Sequence, residues 1–529
     1  MTNIYTNFFN PQTIPQTSAL PDKNQVKNNA DGYVFQISPM SQLMRFLILG
    51  TSGGTYYVKE RKLTEENVDA LVKFIKEDGK TVVQTVLDVS RAGRAPKNDP
   101  AIFVLALAAT HGSPETKKMV YDNIHRVCRI GTHLFHFCEM VNKMRKWSGG
   151  LRRGVADFYL TKNKDQLAVQ LLKYRQRDGW THRDVLRLCH AGSNDPMINV
   201  MLRYAVGKPI DIKLTTDNPF AVIPHPLIAA FEIVQKIPNV KEAIPLIKEH
   251  KMTWEMLPTS FLTDKITWKT LLPEMPLTAM LRNITKMANL GMFTSELCDN
   301  TKTVVTKLQN NDDIKKQRVH PFQILLALKA FELLLGQPKG IKTALNEAFY
   351  ASFGHVNPTG KNFMVGMDVS GSMHYETIMN TNITPAMAGT ALAMLLVRTE
   401  PWVETMAFAD SFIRFPLGKT DTLESVMEKS TQLGMSRTDC ALPILYAIQN
   451  KLPVDVFVIT TDNETYCGSI HPIEALKKYR QISGRNAKLI VIGMTSTGFS
   501  IADPSDSGCL DVCGFDAGLG DVINAFVRD

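Results

Sequence analysis

The chain has 529 residues and ordinary globular composition, with 44% hydrophobic and 21% charged residues, so two or more domains are expected. The first thirty residues lack the basic and apolar segments of a secretory signal, and no apolar run reaches the roughly 18 residues that cross a bilayer. We therefore expect a monomer without a membrane association, located in the cytoplasm or also in the nucleus. Its 8 cysteines are expected to be free thiols.

Charge is distributed unevenly along the chain. Residues 359–529 carry 13 Lys and Arg against 19 Asp and Glu, a net charge of −6, and the chain total of +9 therefore leaves +15 for residues 1–358. A basic surplus of this size predicts a polyanionic partner. Nucleic acid is favoured over a membrane surface because the chain shows no basic amphipathic anchor.

From about residue 30 to residue 358 the pattern is one helix after another. A stretch that opens at Thr64 carries apolar residues at helical spacing and is predicted to end at Gly79, and another opens at Ser113 and is predicted to end at Gly131. A region this long cannot form one simple bundle, so stacked helical pairs are expected. Without a tetratricopeptide or ankyrin consensus, a solenoid of HEAT-like repeats fits best.

Basic and aromatic residues alternate within 173–190, across a predicted helix end and the next helix. Lys173 and Arg177 are predicted to share a helical face, where they would neutralise phosphates while nearby aromatic rings stack on bases. A second basic strip occupies residues 143–153. The alternative is a solvated basic face over a buried Trp180, which would give much the same pattern.

The last third of the chain has the pattern of a doubly wound α/β domain. Near-continuous apolar runs mark strands that are covered on both faces, and they alternate with helical stretches. The predicted strands are 363–369, 403–408, 454–459 and 489–494, and the predicted helices are 385–398, 471–479 and 516–527.

Oxygen-bearing side chains follow two of these strands. Asp368, Ser370 and Ser372 come directly after the first strand, Asp462 ends a later one, and Thr438 lies in a loop between them. Oxygen donors of this kind suit a hard divalent cation, with Mg²⁺ preferred and Mn²⁺ or Ca²⁺ as alternatives. Two carboxylates leave the ion with residual charge, so an acidic partner group could complete its coordination. The alternative is a turn whose short side chains cap backbone amides.

This pattern resembles the metal-ion-dependent adhesion site of von Willebrand factor A domains. The resemblance implies that Asp368, Ser370, Ser372 and Thr438 would touch the ion directly or through water, and that Asp462 would hold a water molecule. One departure is that Ser436-Arg437 precedes Thr438, where related loops often have two glycines. Arg437 could place a positive charge beside the ion.

Several further motifs are more specific. They are the stretches 50–58 (GTSGGTYYV), 275–283 (MPLTAMLRN), 319–322 (VHPF), 460–464 (TTDNE) and 498–504 (GFSIADP). Together with the order of the two regions, they resemble the Ro ribonucleoprotein family from about residue 33 to the C-terminus. The resemblance divides the chain into a flexible segment 1–32, a helical TROVE region 33–358 and an A domain 359–529.

The same resemblance implies a ring of HEAT repeats, closed with help from the A domain. Such a protein would bind Y RNA on its outer surface and the single-stranded ends of misfolded noncoding RNA in a central hole, in noncoding RNA quality control, without catalysis. The Y RNA contacts would fall on Lys173, Arg177 and His190. Two other classes remain open: a protein-interaction adaptor that uses the ion, and a metal-dependent hydrolase that uses Asp368 and Asp462, for which no activating base can be named.

Overall fold

The computed structural model describes residues 13–21, 24–51, 55, 58–208, 225–354, 357–375, 377–378, 381–433 and 436–528. The chain divides into two compact units. The first, called the A unit here, takes the described parts of Met1–Ala70, His320–Lys329 and Phe349–Asp529, and the second, the helical unit, takes those of Leu71–Val319 and Ala330–Ala348. Most of the glycine-rich motif at 50–57 lies outside the described residues.

The described residues between 39 and 351 form helices almost throughout, as predicted. In chain order these helices are α1 Pro39–Leu49, α2 Glu60–Ala92, α3 Asp99–His111, α4 Pro114–Val127, α5 Gly131–Met144, α6 Gly149–Leu160, α7 Lys164–Lys173, α8 His182–Cys189, α9 Pro196–Ala205, α10 Pro226–Val234, α11 Val240–Glu249, α12 Lys265–Leu271, α13 Leu277–Asn289, α14 Asp299–Gln309, α15 Asn311–Lys316, α16 Pro321–Glu332 and α17 Lys339–Ala351. Short 3₁₀ turns lie at Trp254–Met256, Thr259–Thr263 and Leu272–Glu274. Alternate helices pack on each other, α3 on α5 and α4 on α6. The helical prediction is confirmed, whereas a HEAT repeat period and ring closure stay predictions.

The two predicted helix ends fared differently. The helix that opens near Thr64 breaks at Asp78, whose φ of −144° and ψ of 64° are not helical, one residue before the predicted end at Gly79, and a second helical stretch within α2 continues to Ala92. A Cβ at Gly79 would lie 2.7 Å from the hydroxyl oxygen of Thr116, so the glycine also permits close approach of two helices. The predicted end at Gly131 was wrong, because α4 ends at Val127 and Gly131 begins the next helix.

The A unit contains the predicted doubly wound sheet. Its six strands lie in the order β11-β9-β8-β5-β6-β7, and all neighbours are parallel except β6 and β7. The strands are β5 Asn362–Asp368, β6 Trp402–Phe408, β7 Phe412–Arg414, β8 Val456–Thr461, β9 Lys488–Gly493 and β11 Cys509–Cys513. The helices between and after them are α18 Gly371–Tyr375, α19 Pro385–Thr399, α20 Leu423–Thr431, α21 Leu442–Gln449, α22 Pro472–Ser483 and α23 Ala517–Arg528. The four predicted strands are confirmed, and the two edge strands β7 and β11 were missed.

The N-terminal segment belongs to this unit too. Strands β1 Gln25–Lys27 and β2 Tyr33–Gln36 form a small antiparallel sheet with β10 Phe499–Ser500. The described residues between 13 and 32 are therefore held in the A unit, and the expected flexible segment 1–32 differs from this arrangement, with residues 1–12 and 22–23 outside the described part. The unit also takes in residues 320–329 and 349–354, beyond the predicted start at 359. Of the helices built from described residues, none combines the length and apolar character needed to cross a bilayer.

Candidate functional site

The predicted metal ligands meet at the carboxyl edge of the A unit sheet. Strands β5 and β8 are parallel neighbours, with Met367 in register with Thr460. Asp368 ends β5 and Asp462 directly follows β8, so the two carboxylates emerge side by side at the edge where open parallel sheets bind ligands. All five predicted side chains are buried, from 0% exposed at Asp368 and Thr438 to 4% at Ser372.

Hydrogen bonds fix part of this cluster. The carboxylate of Asp368 accepts from the Ser370 backbone N–H at 2.9 Å and from the Thr461 hydroxyl at 2.6 Å. The hydroxyl oxygens of Ser370 and Ser372 lie 3.3 Å apart. The turn-capping alternative therefore describes one contact correctly, but it leaves other oxygens of the cluster unexplained.

Two of the five predicted ligands have a buried oxygen without a hydrogen-bond partner among the described residues. They are Thr438, through its hydroxyl oxygen, and Asp462, through Oδ2; Oδ1 of Asp462 accepts from the backbone N–H of Glu464 at 3.1 Å. Burying an unpaired polar oxygen is costly unless it binds something. The donor set therefore fits a divalent cation, which Asp368, Ser370, Ser372 and Thr438 would hold, with Asp462 close by.

Electrostatics favours the same interpretation. Burial, and then the charge of Asp462, raise the pKa of Asp368, and burial raises the pKa of Asp462 as well. Two adjacent buried carboxylates resist ionising together, and a cation would relieve that repulsion. Across the described residues there is no cluster of three or more His, Cys, Asp and Glu that could hold a metal ion.

Ser436 and Arg437 precede Thr438 where related loops often have two glycines, and Ser436 makes two hydrogen bonds. The Ser436 hydroxyl donates to Asp410 at 2.8 Å, and its carbonyl accepts from the Gly371 backbone N–H at 3.2 Å. Arg437 is exposed. Whether its charge lies beside a bound ion stays a prediction.

Sequence reasoning missed the N-terminal residues that support this edge. The side chain of Gln16, 0% exposed, donates to Asp439 at 2.8 Å and to the carbonyl of Ile470 at 2.9 Å, and accepts from the hydroxyl of Thr465 at 2.5 Å. Asn29 donates its backbone and side-chain N–H groups to Glu464 at 2.9 and 2.7 Å. We call residues 13–36 the N-terminal strap. Polar residues with no apolar periodicity gave no local signal for this role.

In the helical unit, the predicted contact residues take different environments. Lys173 is the last residue of α7, and its Nζ lies 3.4 Å from Oε1 of Glu255, with only 17% of its side chain exposed. Arg177 is 57% exposed, and its guanidinium lies 3.5 Å from the carboxylate of its neighbour Asp178. His190 is exposed at the end of α8 with φ of 52°.

The prediction that Lys173 and Arg177 share one helical face was wrong. After Lys173 the chain forms a hairpin of β3 Gln176–Arg177 and β4 Trp180–Thr181. Its turn is Asp178-Gly179, with φ of 53° and 78°, the pair favoured in two-residue hairpin turns. The Asp-Gly dipeptide was the signal that could have identified this hairpin.

The aromatic residues of segment 173–190 mostly make contacts within the protein. The Trp180 indole donates to Glu139 at 2.7 Å and stacks on Trp147 at 6.3 Å between ring centroids, which joins the two basic strips predicted from sequence. His182 is buried between the Tyr159 hydroxyl and the carbonyl of Gln170, at 3.0 and 3.1 Å. Burial lowers the pKa of His182 to about 4, so it is a neutral core residue.

A groove of about 530 Å³ borders the hairpin. Arg175, Gln176 and Arg183 line it together with Tyr204. Both arginines are exposed. The groove gives this part of the helical unit a concave surface with two guanidinium groups, which suit phosphate contacts.

Comparisons with known proteins cover nearly the whole chain. The TROVE domain family matches residues 26–211 and 247–380, and the Ro60 vWA domain family matches residues 362–527. A protein named RNA-binding protein RO60 from Deinococcus radiodurans is 37% identical over 536 residues, with 98% of each chain covered. Its namesake from Caenorhabditis elegans is 31% identical, with 97% of this chain and 92% of that protein covered. The crystal structure of the Deinococcus radiodurans Ro (RSR) protein superimposes with a TM-score of 0.69 at 35% identity, covering 93% of this chain and 99% of that one.

Proposed function

This chain belongs to the Ro60 family of RNA-binding proteins, and from that premise we propose that its helical unit binds structured noncoding RNA of the Y type. The proposed contact surface consists of the hairpin 176–181, His190 and the adjoining groove. The observation that carries the proposal is Arg177, whose side chain is 57% exposed and whose one ion pair within the described residues is with its own neighbour. A guanidinium in that position is available to a phosphate oxygen.

Charge supports the same assignment. The surplus of +15 on residues 1–358 would attract a polyphosphate chain and draw binding energy from the counterions that it releases. Lys173 is expected to contribute less to RNA binding because its ion pair with Glu255 neutralises its charge. We further propose that the protein takes single-stranded ends of misfolded noncoding RNA and acts in noncoding RNA quality control. Ring closure with a central hole stays a prediction.

The test is a salt titration of binding to a Y-type RNA hairpin. Arg177→Ala should weaken binding and reduce the slope of log affinity against log salt by about 0.7 to 0.9, as expected for one lost phosphate contact. Lys173→Ala combined with Arg177→Ala should weaken binding further. Arg282→Ala, an exposed arginine elsewhere in the same unit, is the matched control. Wild-type affinity and slope in the double variant would contradict the assigned surface.

A second candidate function is a cation-dependent adaptor that uses the A unit. The observation that favours it is the pair of unpaired buried oxygens of Thr438 and Asp462, and the exposed Arg437, which precedes Thr438 in the chain, would attract an acidic partner group. A fluorescent polyglutamate peptide should then bind in Mg²⁺ but not in EDTA, and Asp368→Asn should abolish that binding. RNA that copurifies in stoichiometric amount, with no peptide binding in Mg²⁺, would reject this alternative.

We propose no hydrolytic role for Asp368 and Asp462. Both are enclosed, and the polar groups that contact Asp368 are hydroxyls and backbone amides, which are poor bases for activating water. A Y-type RNA incubated with the protein and Mg²⁺ should stay intact. Multiple turnover that Asp368→Asn abolishes would overturn this proposal.

A further inference from the structure

A second cavity of about 410 Å³ lies in the helical unit, between Lys173 and residues from the range 247–279. It is lined by Lys173 at the end of α7, by Lys248 and Lys251 around the end of α11, and by Trp254 and Glu255 of the following 3₁₀ turn. Cavities of this size hold small organic ligands. Neither charge patterning nor motif spacing in the sequence pointed to this cavity.

Trp254 gives the cavity an aromatic wall. Its ring stacks on Trp268 with 6.4 Å between ring centroids and an angle of 28°. Trp268 is 1% exposed, donates its indole N–H to the carbonyl of Leu262 at 2.9 Å, and does not line the cavity. Trp254 is therefore supported on one side by a fixed residue while it borders the cavity, an arrangement suited to a second planar ring.

The charged groups around the cavity have a cationic surplus. Lys248 and Lys251 are exposed, and within the described residues neither forms an ion pair. Lys173 pairs with Glu255 at 3.4 Å, and Glu274 is the other carboxylate in the lining. Three ammonium groups therefore face two carboxylates, which leaves one positive charge and two uncommitted lysines for an anionic group.

The wall also holds hydrogen-bond acceptors without partners. Oε2 of Glu255 and the hydroxyl oxygen of Thr253 are buried, and neither has a hydrogen-bond partner within the described residues. Unpaired buried oxygens in the wall favour a ligand that carries N–H donors. A hydrocarbon ligand would leave both oxygens unsatisfied.

We propose that this cavity binds one unpaired nucleotide of an RNA strand, with its base against Trp254 and its phosphate beside Lys248 and Lys251. Planarity, N–H donors and negative charge occur together in a nucleotide, and each has a counterpart in the lining. The inference rests on the proposed RNA-binding function and names one contact within it. In this assignment Lys173 acts as part of the cavity wall, since its charge is already paired with Glu255.

The experiment uses the full-length protein and a single-stranded uridine decamer that carries one central 2-aminopurine. Its fluorescence falls when the base stacks on an aromatic ring. Trp254→Leu should bind the decamer about tenfold or more weakly and lose the quenching, as expected for one lost stacking contact. Trp254→Phe should retain most of both. Lys248→Ala with Lys251→Ala should weaken binding and lower the salt slope by about 0.7 to 1.4.

Lys241→Ala is the matched control, since Lys241 is exposed on the same helix and does not line the cavity; it should behave as wild type. The inference is overturned if folded Trp254→Leu keeps wild-type affinity and quenching. If that variant does not fold, unchanged binding in the double lysine variant overturns it. A glutamate decamer that displaces the RNA as effectively as unlabelled uridine decamer would assign the cavity to peptides instead.

Binding of a Y-type RNA hairpin by the same wild-type protein separates the two proposals. If the wild-type protein binds the hairpin but not the decamer, the nucleotide-cavity proposal is refuted and the proposed function stands. If it binds neither RNA, both proposals are refuted.

Discussion

The N-terminal strap offers the sharpest test of how the sheet edge that carries Asp368 and Asp462 is held in place. Replacing Gln16 with Ala removes three hydrogen bonds from a side chain that is 0% exposed. The partners left behind are Oδ1 of Asp439, the carbonyl of Ile470 and the hydroxyl of Thr465. Each buried group that loses its partner costs about 1–3 kcal/mol. Oδ1 of Asp439 still accepts from the Ala441 backbone N–H, and the Thr465 hydroxyl still accepts from that of Cys440. With these remaining contacts and water entering the vacated space, the total lies near the lower end, about 3 kcal/mol.

This loss should appear as easier local opening of residues 462–470. An opening free energy reduced by about 3 kcal/mol corresponds to amide hydrogen exchange roughly a hundredfold faster. Because the backbone N–H groups of Tyr466 and Cys467 donate to the carbonyl of Thr438 at 3.1 and 3.2 Å, the effect should extend to that loop. Mass spectrometry of peptides from 436–441 and 462–470 measures it.

The control is Gln84→Ala, which makes the same chemical change at an exposed helical position, where the amide donates to Asp88 at 3.0 Å. Exchange in 462–470 should not change in that variant. If Gln16→Ala also leaves exchange in 462–470 unchanged, the strap does not hold the sheet edge that carries Asp368 and Asp462, and the hydrogen bonds of Gln16 contribute no local stability.

Three further predictions concern the ion, a buried histidine and a buried ion pair. Mg²⁺ at a hundred times its Kd should stabilise the A unit against urea by about 2.7 kcal/mol. Asp368→Asn should lose this response without destabilising the metal-free protein, since the substitution removes one of two repelling charges. Urea midpoints of the wild type that do not depend on Mg²⁺ would refute the ion site. His182 has a folded pKa of about 4 against about 6.5 unfolded, so the unfolded chain takes up the proton first and stability falls by on the order of 3 kcal/mol between pH 6.5 and 4. His182→Gln should flatten that part of the urea-midpoint profile, His190→Gln should not, and identical profiles for wild type and His182→Gln would count against the assignment. Arg45, 1% exposed, lies 2.5 Å from the carboxylate of Asp511, so Arg45→Ala should destabilise the A unit by about 3–5 kcal/mol, and a change below about 1 kcal/mol in urea denaturation would show that water replaces the pair.

Most of the A unit could be read from sequence because its signals are local. Continuous apolar runs mark strands buried on both faces, and Thr384 with Pro385 gives the N-cap and first turn of α19. Once strands 363–369 and 454–459 were predicted, the rule that parallel strands present their carboxyl ends at one edge placed Asp368 near Asp462. The edge strands β7 and β11 were missed because they are short and only partly buried.

The surface around Lys173 shows the opposite case. Spacing alone put Lys173 and Arg177 on one helix, but the turn at Asp178-Gly179 separates them. Whether a lysine is free or paired depends on a partner that is distant in sequence, here Glu255. No pattern within the segment 173–190 contains that information.

Residue patterns alone were enough to predict the helical character of the first region, the positions of four strands in the A unit, the oxygen donors at their ends and the basic surplus of residues 1–358. Each follows from residue types at short spacing or from charge counting. The order of the strands in the sheet, the contacts of Gln16 and Asn29 with the loop after β8, the neutralisation of Lys173 and the cavity beside Trp254 became visible only in the folded chain. The reason is that hydrogen bonds, ion pairs and cavities between residues far apart in the chain form only when packing brings them together.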